Sequence, residues 1–159
     1  MIFSQKIEKI GVRVIKIRPS IILINEDKVL LMRYLYAETE VFGIPGGSIH
    51  DGETLTDTLR RELDEELGVS IDVGELACLV ETPMAANIEH TLHCIFVGSV
   101  TSGMPKINSR HTSALSISWI DKELIDRLVL YPPINDVVGK ALNGIISTKY
   151  LGLRERKWF

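Results

Sequence analysis

Four leucines recur at every fourth residue in the middle of the chain and predict one amphipathic helix over residues 54–67: Leu55, Leu59, Leu63 and Leu67. Thr54 can cap the first turn with Asp57 as its capping-box partner, and Gly68 can end the helix in a left-handed conformation. A helix with one apolar stripe has to bury that stripe against another layer of structure.

Acidic residues are concentrated on and around this helix. Seven acidic and two basic residues lie within residues 51–66, which gives this window a net charge of −5 in a chain of net charge −3. At about 100° per residue, Glu66 lies about 20° from Leu59 and Glu62 about 60° from it, while Glu65 is about 120° away. Most charge runs are solvated helix faces, and that interpretation fits the residues on the opposite side: Asp57, Arg60, Arg61 and Asp64.

Glu62 and Glu66 do not fit a solvated face, because both fall within or beside the leucine stripe. An unpaired buried carboxylate is costly, and the last turns of a helix disfavour anions. Glu62, Glu65 and Glu66 also repel one another at i, i+3 and i+4. A bound divalent cation would compensate all three penalties. Oxygen ligands without His or Cys at metal spacing favour Mg²⁺ or Mn²⁺.

Apolar runs on both sides of the helix predict strands at residues 12–17, 21–24, 28–35, 69–81, 91–100 and 114–120. Arg18 and Pro19 predict a break between the first two strands, and residues 25–27 predict a hairpin turn. Residues 42–48 form a Pro/Gly loop, and further helices are predicted at residues 121–128 and 135–146. This order, in a chain of one-domain length, indicates a layered α/β or α+β domain.

The central stretch resembles the motif that defines the Nudix hydrolases. The family pattern is Gly, five residues, Glu, seven residues, Arg-Glu-aliphatic, one residue, Glu-Glu, one residue and Gly-aliphatic. The chain matches it without departure at Gly47, Glu53, Arg61-Glu62-Leu63, Glu65-Glu66 and Gly68-Val69. The preceding residues 42–46 are also similar to the family's approach loop.

The resemblance implies a single Nudix domain over residues 1–159, with an α/β/α sandwich around a mixed sheet. It implies hydrolysis of a pyrophosphate linkage in a nucleotide-derived small molecule. Glu62, Glu65 and Glu66 would hold Mg²⁺, with Mn²⁺ as a possible substitute, and a backbone carbonyl near Gly46 or Gly47 would add a ligand. The two glycines would also let the backbone approach substrate phosphates. Glu53 would pair with Arg61 to brace the helix and could join the metal shell.

The residue that deprotonates the attacking water is left open by the resemblance. A family member uses either a glutamate of the motif, here Glu65, or a glutamate of a later loop. Glu81 and Glu89 flank the loop over residues 82–89, which we expect to border the site, although solvated loop carboxylates are the simpler interpretation of both. His111 could contact a substrate phosphate.

Substrate choice depends on residues outside the motif. Arg33, Tyr34 and Tyr36 follow the strand that leads to the site, where they could meet a phosphate and stack on a base, or simply end the strand. Pro83 lies 15 residues after Gly68, a spacing that resembles Nudix ADP-ribose hydrolases. ADP-ribose or a nucleotide sugar is therefore favoured over a nucleoside triphosphate.

Two other functions are compatible with the resemblance. A ligand-sensing Nudix module would usually carry a degraded motif, whereas this one is intact. An isoprenoid diphosphate isomerase would need a Cys/Glu acid–base pair, whereas Cys78 and Cys94 lie in apolar strand-like contexts.

Composition narrows the partners and the compartment. The mild acidic balance argues against a broad nucleic-acid surface. No export signal or membrane span is recognisable, so we expect a cytoplasmic protein with reduced thiols and no membrane partner. A homodimer is possible, and the tail over residues 154–159, with Trp158 and Phe159, would pack on the body or on a second subunit.

Overall fold

The computed structural model describes residues 14–156 and residue 158. Its described part contains two α-helices, α1 (Leu55–Leu67) and α2 (Asn135–Leu142), and a 3₁₀ helix (Lys122–Arg127). The strands of the described part are β1 (Lys16–Asn25), β2 (Lys28–Tyr36), β3 (Thr39–Gly43), β4 (Ser70–Thr82), β5 (Thr91–Ser102), β6 (Ser116–Asp121), β7 (Leu130–Tyr131) and β8 (Lys149–Leu153).

The strands form one mixed sheet in the order β7-β3-β2-β1-β5-β4-β8, with β6 paired to β2. The β1–β5, β3–β7 and β4–β8 pairs are parallel, and the other pairs are antiparallel. β1 and β2 pair only next to their turn, at Ile24 and Asn25, so the two strands separate further along. The loop after β3 fills this opening: Ile21 N donates to Pro45 O at 2.9 Å, and Gly47 N donates to Pro19 O at 3.2 Å.

A helix covers each face of the sheet, which confirms the predicted α/β/α sandwich. On one face, Leu59, Leu63 and Leu67 of α1 pack against Ile21 and Leu23 of β1. On the other face, α2 packs against neighbouring strand residues such as Ile22. Successive residues of β1 point to opposite faces, so the continuous apolar run of this strand supplies both cores.

The predicted break at Arg18 and Pro19 is wrong, because β1 runs through both residues. Lys16 N donates to His90 O beside β5. Backbone groups alternate in direction along a strand, so those of Lys16 and Arg18 point towards β5, whereas those of Pro19 point towards the opposite edge. β1 has already separated from β2 at that point, and the missing N–H of proline costs no ladder hydrogen bond.

The remaining predictions differ mainly in extent. The hairpin turn at residues 25–27 and the central helix with its caps are confirmed. The last helix ends at Leu142 instead of residue 146, and the element predicted at residues 121–128 is a 3₁₀ helix. The short strands β3, β7 and β8 were not predicted. The predicted domain, first strand and tail also include residues 1–13, 157 and 159, which lie outside the described residues.

Candidate active site

The capping residues fix where α1 begins and ends. Thr54 Oγ1 accepts the N–H of Asp57 at 3.1 Å, and Asp57 Oδ2 accepts the N–H of Thr54 at 3.2 Å. Gly68 ends the helix at φ 66°, a conformation that favours glycine. The acidic side chains of the helix are therefore held on a rigid element with defined ends.

Arg61 ties the preceding loop to the helix through Glu53. Its Nε donates to Glu53 Oε1 at 2.6 Å, and its Nη2 donates to Glu53 Oε2 at 3.1 Å and to Ser48 O at 2.9 Å. Hydrogen bonds, chiefly from Arg61 and also from His50 N and Thr58 Oγ1, lower the pKa of Glu53 to about 2. The helical projection placed Arg61 on the solvated face, but its side chain is only 21% exposed because this loop folds over it.

The same guanidinium reaches two further glutamates. Arg61 Nη1 lies 3.1 Å from Glu62 Oε1 and 3.1 Å from Glu65 Oε2. Glu53 makes the largest contribution to raising the pKa of Arg61, and Glu62 raises it further. One arginine thus partly neutralises a group of carboxylates that would otherwise repel one another.

Gly47 lies directly against Glu62. A Cβ atom at position 47 would overlap the Glu62 carboxyl group, and a Cβ at Gly46 would overlap Pro19 O and the Ser20 side chain. Both positions therefore require glycine for close approach. The Glu62 side chain is 14% exposed and is packed between this loop and Arg61.

Glu66 is the most deeply buried acid of the helix, with 8% exposure. Burial raises its pKa to about 7, and repulsion from Glu62 contributes, whereas Arg18 and a hydrogen bond from Thr112 act in the opposite direction. The sequence prediction that Glu66 lies within the apolar stripe is confirmed.

Glu66 lines one end of a cavity of about 500 Å³ that opens to solvent. Tyr34, Tyr36 and Tyr131 line the same cavity, and they are three of the four tyrosines in the chain. Tyr34 and Tyr36 stack with their ring centroids 5.9 Å apart. The cavity therefore connects the Glu66 carboxylate of α1 to a wall of aromatic rings.

Arg18 lines this cavity and was missed in the sequence. Its Nη2 donates to Gly46 O at 2.9 Å. Burial raises the pKa of Tyr34, Tyr36 and Glu66, and the charge of Arg18 partly opposes this shift. Lys16, Arg18 and Ser20 line the cavity together at a spacing of two residues along β1. Polar residues at every second position before an apolar run indicate one polar face of a strand, and this pattern was available in the sequence. The predicted break at Arg18 and Pro19 concealed it.

Arg33 lies apart from Tyr34, although both were candidate substrate-binding residues. Arg33 Nε donates to Ser116 Oγ at 2.9 Å, and Nη1 lies 3.2 Å from Glu40 Oε2. Neighbouring residues of a strand point to opposite faces, and Arg33 is not among the residues that line the cavity. Its position gives no support to a contact with substrate.

The loop candidates also separate in the structure. Glu89 and His111 line the cavity, whereas Glu81 does not. Glu81 accepts hydrogen bonds from Tyr150 and His90, both at 2.6 Å, and these bonds lower its pKa. Pro83 uses its carbonyl to accept a hydrogen bond from Arg156 at 3.0 Å.

The two cysteines are free and buried in the core. Burial raises the pKa of the Cys78 thiol to about 11, and neither cysteine lines the cavity. This placement gives no support to a Cys/Glu acid–base pair and hence to isomerase chemistry.

Two further observations concern the described residues alone. Within residues 14–156 and 158, no three His, Cys, Asp or Glu side chains are gathered in an arrangement ready to hold a metal ion. Among the same residues, no helix has the length and apolar character required to cross a membrane.

Comparison with solved structures shows the same fold. The chain is 24% identical to a MutT NUDIX hydrolase from Burkholderia pseudomallei, with a TM-score of 0.61 over 70% of this chain and 86% of that one. A NUDIX hydrolase from Nitrosomonas europaea gives 19% identity and a TM-score of 0.68 over 92% and 82%. An ADP-ribose pyrophosphatase from Streptococcus suis gives 14% identity and a TM-score of 0.65 over 86% and 99%.

Sequence comparison decides the family. No curated protein matches the chain, but the family model of the NUDIX domain matches residues 15–138, which include the whole motif, α1 and every residue that lines the cavity. The chain therefore belongs to the Nudix family and is a Nudix pyrophosphohydrolase.

Proposed function

We propose that the protein is a Mg²⁺-dependent hydrolase of the pyrophosphate linkage in nucleoside diphosphate derivatives, with ADP-ribose or a nucleotide sugar favoured. One observation carries the proposal: a single cavity joins the buried carboxylate of Glu66 to a wall of three tyrosines. A substrate that fits both ends has a phosphate chain at one end and a flat ring at the other.

The aromatic end fits a nucleobase. Stacking on an aromatic ring contributes about 1–3 kcal/mol per base and tolerates different bases. Tyr34 and Tyr36 present two nearly parallel rings with an interplanar angle of 18°, and Phe42 also lines the cavity. A strand end alone would not need this concentration of rings in a chain that has only 6% aromatic residues.

The basic side chains of the cavity fit the phosphates. Lys16 and Arg18 line it from β1, and His111 lines it from the loop before β6. Arginine binds phosphate oxygens through a planar group with several donors. Arg18 already donates to Gly46 O, so its guanidinium lies next to the glycine loop of the motif.

The donor set at the carboxylate end fits Mg²⁺. Glu62, Glu65, Glu66 and the carbonyl of Gly47 are all oxygen donors, which hard cations prefer. Glu62 and Glu65 both raise the pKa of Glu66, so the three carboxylates share one electrostatic environment. Gly47 leaves room for the Glu62 carboxyl group. When bound here, Mg²⁺ would neutralise charge on the phosphates and make water more acidic.

The reaction needs a group that accepts a proton from water. Water attacks one phosphorus, the bridging P–O bond breaks, and the proton of the water passes to a carboxylate. Glu89 lines the cavity and Glu81 does not, which supports Glu89 over Glu81 as the loop candidate for this role, beside the motif candidate Glu65. Glu89→Gln should then lower kcat, and Glu81→Gln is the matched control.

A panel of substrates with Mg²⁺ at neutral to alkaline pH tests the substrate class. It contains ADP-ribose, nucleotide sugars, dinucleoside polyphosphates and nucleoside triphosphates, with products separated by chromatography. We expect AMP and ribose 5-phosphate from ADP-ribose, or the corresponding monophosphates from a nucleotide sugar. Pyrophosphate from a triphosphate alone would reassign the substrate. Binding without any turnover would favour the ligand-sensing module.

A pair of tyrosine variants tests the role of the cavity. Tyr36→Ala should raise KM for the preferred substrate by about fivefold to 100-fold, because a stacking surface is lost. Tyr150→Ala is the control, since Tyr150 is 64% exposed and lies outside the cavity. Equal KM values in the two variants would contradict the proposed base-binding wall.

A further inference from the structure

The described part of the C-terminal segment, residues 154–156 and 158, returns to the cavity and packs behind its tyrosines. Trp158 is buried, and its ring stacks on Tyr36 with the centroids 6.3 Å apart and an interplanar angle of 19°. The same indole meets Tyr131 edge-on at 5.3 Å. Trp158 itself does not line the cavity, so it contacts two cavity rings from behind.

Tyr131 is contacted on several sides, and Arg156 of the same segment makes two of these contacts. The Arg156 guanidinium lies over the Tyr131 ring at 5.1 Å from its centroid, and Arg156 Nη2 donates to Tyr131 Oη at 3.3 Å. Thr82 Oγ1 lies 3.0 Å from the same hydroxyl, and His93 meets the ring edge-on at 5.3 Å. The ring therefore has little freedom to turn.

The path of the segment is fixed before it reaches the tyrosines. Arg154 N donates to Glu81 O at 2.8 Å, and the Arg154 guanidinium contacts both carboxylate oxygens of Asp136 at 2.8 and 3.1 Å. Arg156 Nη1 then donates to Pro83 O at 3.0 Å. These bonds join the segment to α2 and to the end of β4, and they direct Trp158 to the aromatic wall.

We propose that Trp158 and Arg156 are positioning residues that set the preference of the enzyme for ligands carrying a nucleobase. They act through Tyr36 and Tyr131, whose rings they hold in place before a ligand arrives. An aromatic ring that must be ordered during binding costs conformational entropy, whereas a ring already held does not. The inference rests on the proposed function, because it assigns the tyrosine wall to the base of the substrate.

The test compares two product-like ligands that differ only by the base: AMP and ribose 5-phosphate. Their inhibition constants are measured against the preferred substrate for the wild-type protein, Trp158→Ala and Trp158→Phe. Glu155→Gln is the matched control, because Glu155 is an exposed residue of the same segment. Loss of the two ring contacts should weaken AMP inhibition about tenfold. Ribose 5-phosphate inhibition and kcat should not change, and Trp158→Phe should retain most of the preference.

A second variant and a second readout keep the test independent of folding and of turnover. Arg156→Gln removes the cation from the Tyr131 ring without emptying buried space, so it should also weaken AMP inhibition selectively. Trp119→Phe leaves Trp158 as the only tryptophan of the chain. In this variant the fluorescence of Trp158 should change on addition of AMP and not on addition of ribose 5-phosphate.

Three results would overturn the inference in distinguishable ways. If Trp158→Ala and Arg156→Gln keep the wild-type preference for AMP, the segment does not set it, and the proposed function stands. If both inhibition constants rise together in these variants, the segment has only a structural role. If the wild-type protein does not distinguish AMP from ribose 5-phosphate, the nucleobase wall of the proposed function fails together with the inference.

Discussion

A methyl group at Gly47 is expected to displace the carboxylate of Glu62. The Cβ of an alanine at this position would overlap Cγ, Cδ and Oε1 of Glu62. The Glu62 side chain is largely enclosed and lies 3.1 Å from Arg61 Nη1, so it can move only by giving up that contact. Gly47→Ala therefore tests whether this carboxylate has to stay in its observed place.

The size of the effect follows from this overlap. Overpacking a close-packed site costs about 1–3 kcal/mol, while alanine in place of glycine recovers about 0.4–1 kcal/mol by restricting the unfolded chain. The free energy of unfolding should therefore fall by about 1–2 kcal/mol. A displacement of a reacting group by about 1 Å can cost about 100-fold in rate, so kcat/KM should fall by at least that factor.

Urea denaturation and steady-state kinetics with Mg²⁺ measure the two quantities. Gly139→Ala is the matched control, because a Cβ at this position in α2 meets open space. It should raise the free energy of unfolding by about 0.5–1 kcal/mol and leave kcat/KM unchanged. Gly47→Ala combined with Glu62→Ala should recover the stability without the activity. A Gly47→Ala protein with wild-type kcat/KM would refute the reasoning.

Three further predictions concern single side chains. Glu66→Gln should lower kcat by orders of magnitude with little change in Tm, because it removes a proposed metal ligand that supports several kcal/mol of charge stabilisation; near-normal turnover would contradict that assignment. His93 is buried, and burial lowers its pKa from 6.5 to about 3. Between pH 3 and pH 6.5 the imidazole is therefore protonated in the unfolded chain and neutral in the folded protein. The free energy of unfolding should therefore decrease as the pH falls through this window, by up to about 1.4 kcal/mol per pH unit. His93→Gln should show a smaller slope in urea denaturation, and equal slopes would argue against a neutral buried imidazole. Thr54→Ala should lower the free energy of unfolding by about 1 kcal/mol without changing KM, because the side-chain cap on Asp57 N is lost; unchanged stability would show that the cap contributes nothing.

The sequence was sufficient to predict the central helix and its acidic site because both depend on local spacing. Leucines at every fourth residue and the caps at Thr54 and Gly68 act within a few residues of each other. The position of Glu66 in the apolar stripe follows from the same geometry. The position of Arg61 does not, because the loop that covers it is folded back by Glu53.

The cavity could be predicted only in part, because it depends on how distant strands meet. Tyr34 was recognisable at the end of a strand, but Arg18 lies on a strand that we predicted to be interrupted by a proline. That proline is tolerated because β1 and β2 separate, and this separation is a property of the whole sheet. Trp158 reaches Tyr36 only through the path of the C-terminal segment, for which no local pattern exists.

Product analysis of ADP-ribose with Mg²⁺ and with a metal chelator is the most direct test of the central claim. The account predicts AMP and ribose 5-phosphate in equal amounts with Mg²⁺, no products with the chelator, and recovery when Mg²⁺ is restored. Turnover that is undiminished in the chelator would contradict the role of the carboxylates of α1. An absence of products from ADP-ribose and from every other nucleoside diphosphate derivative, with Mg²⁺ shown to be bound, would contradict the assignment of the cavity to such substrates.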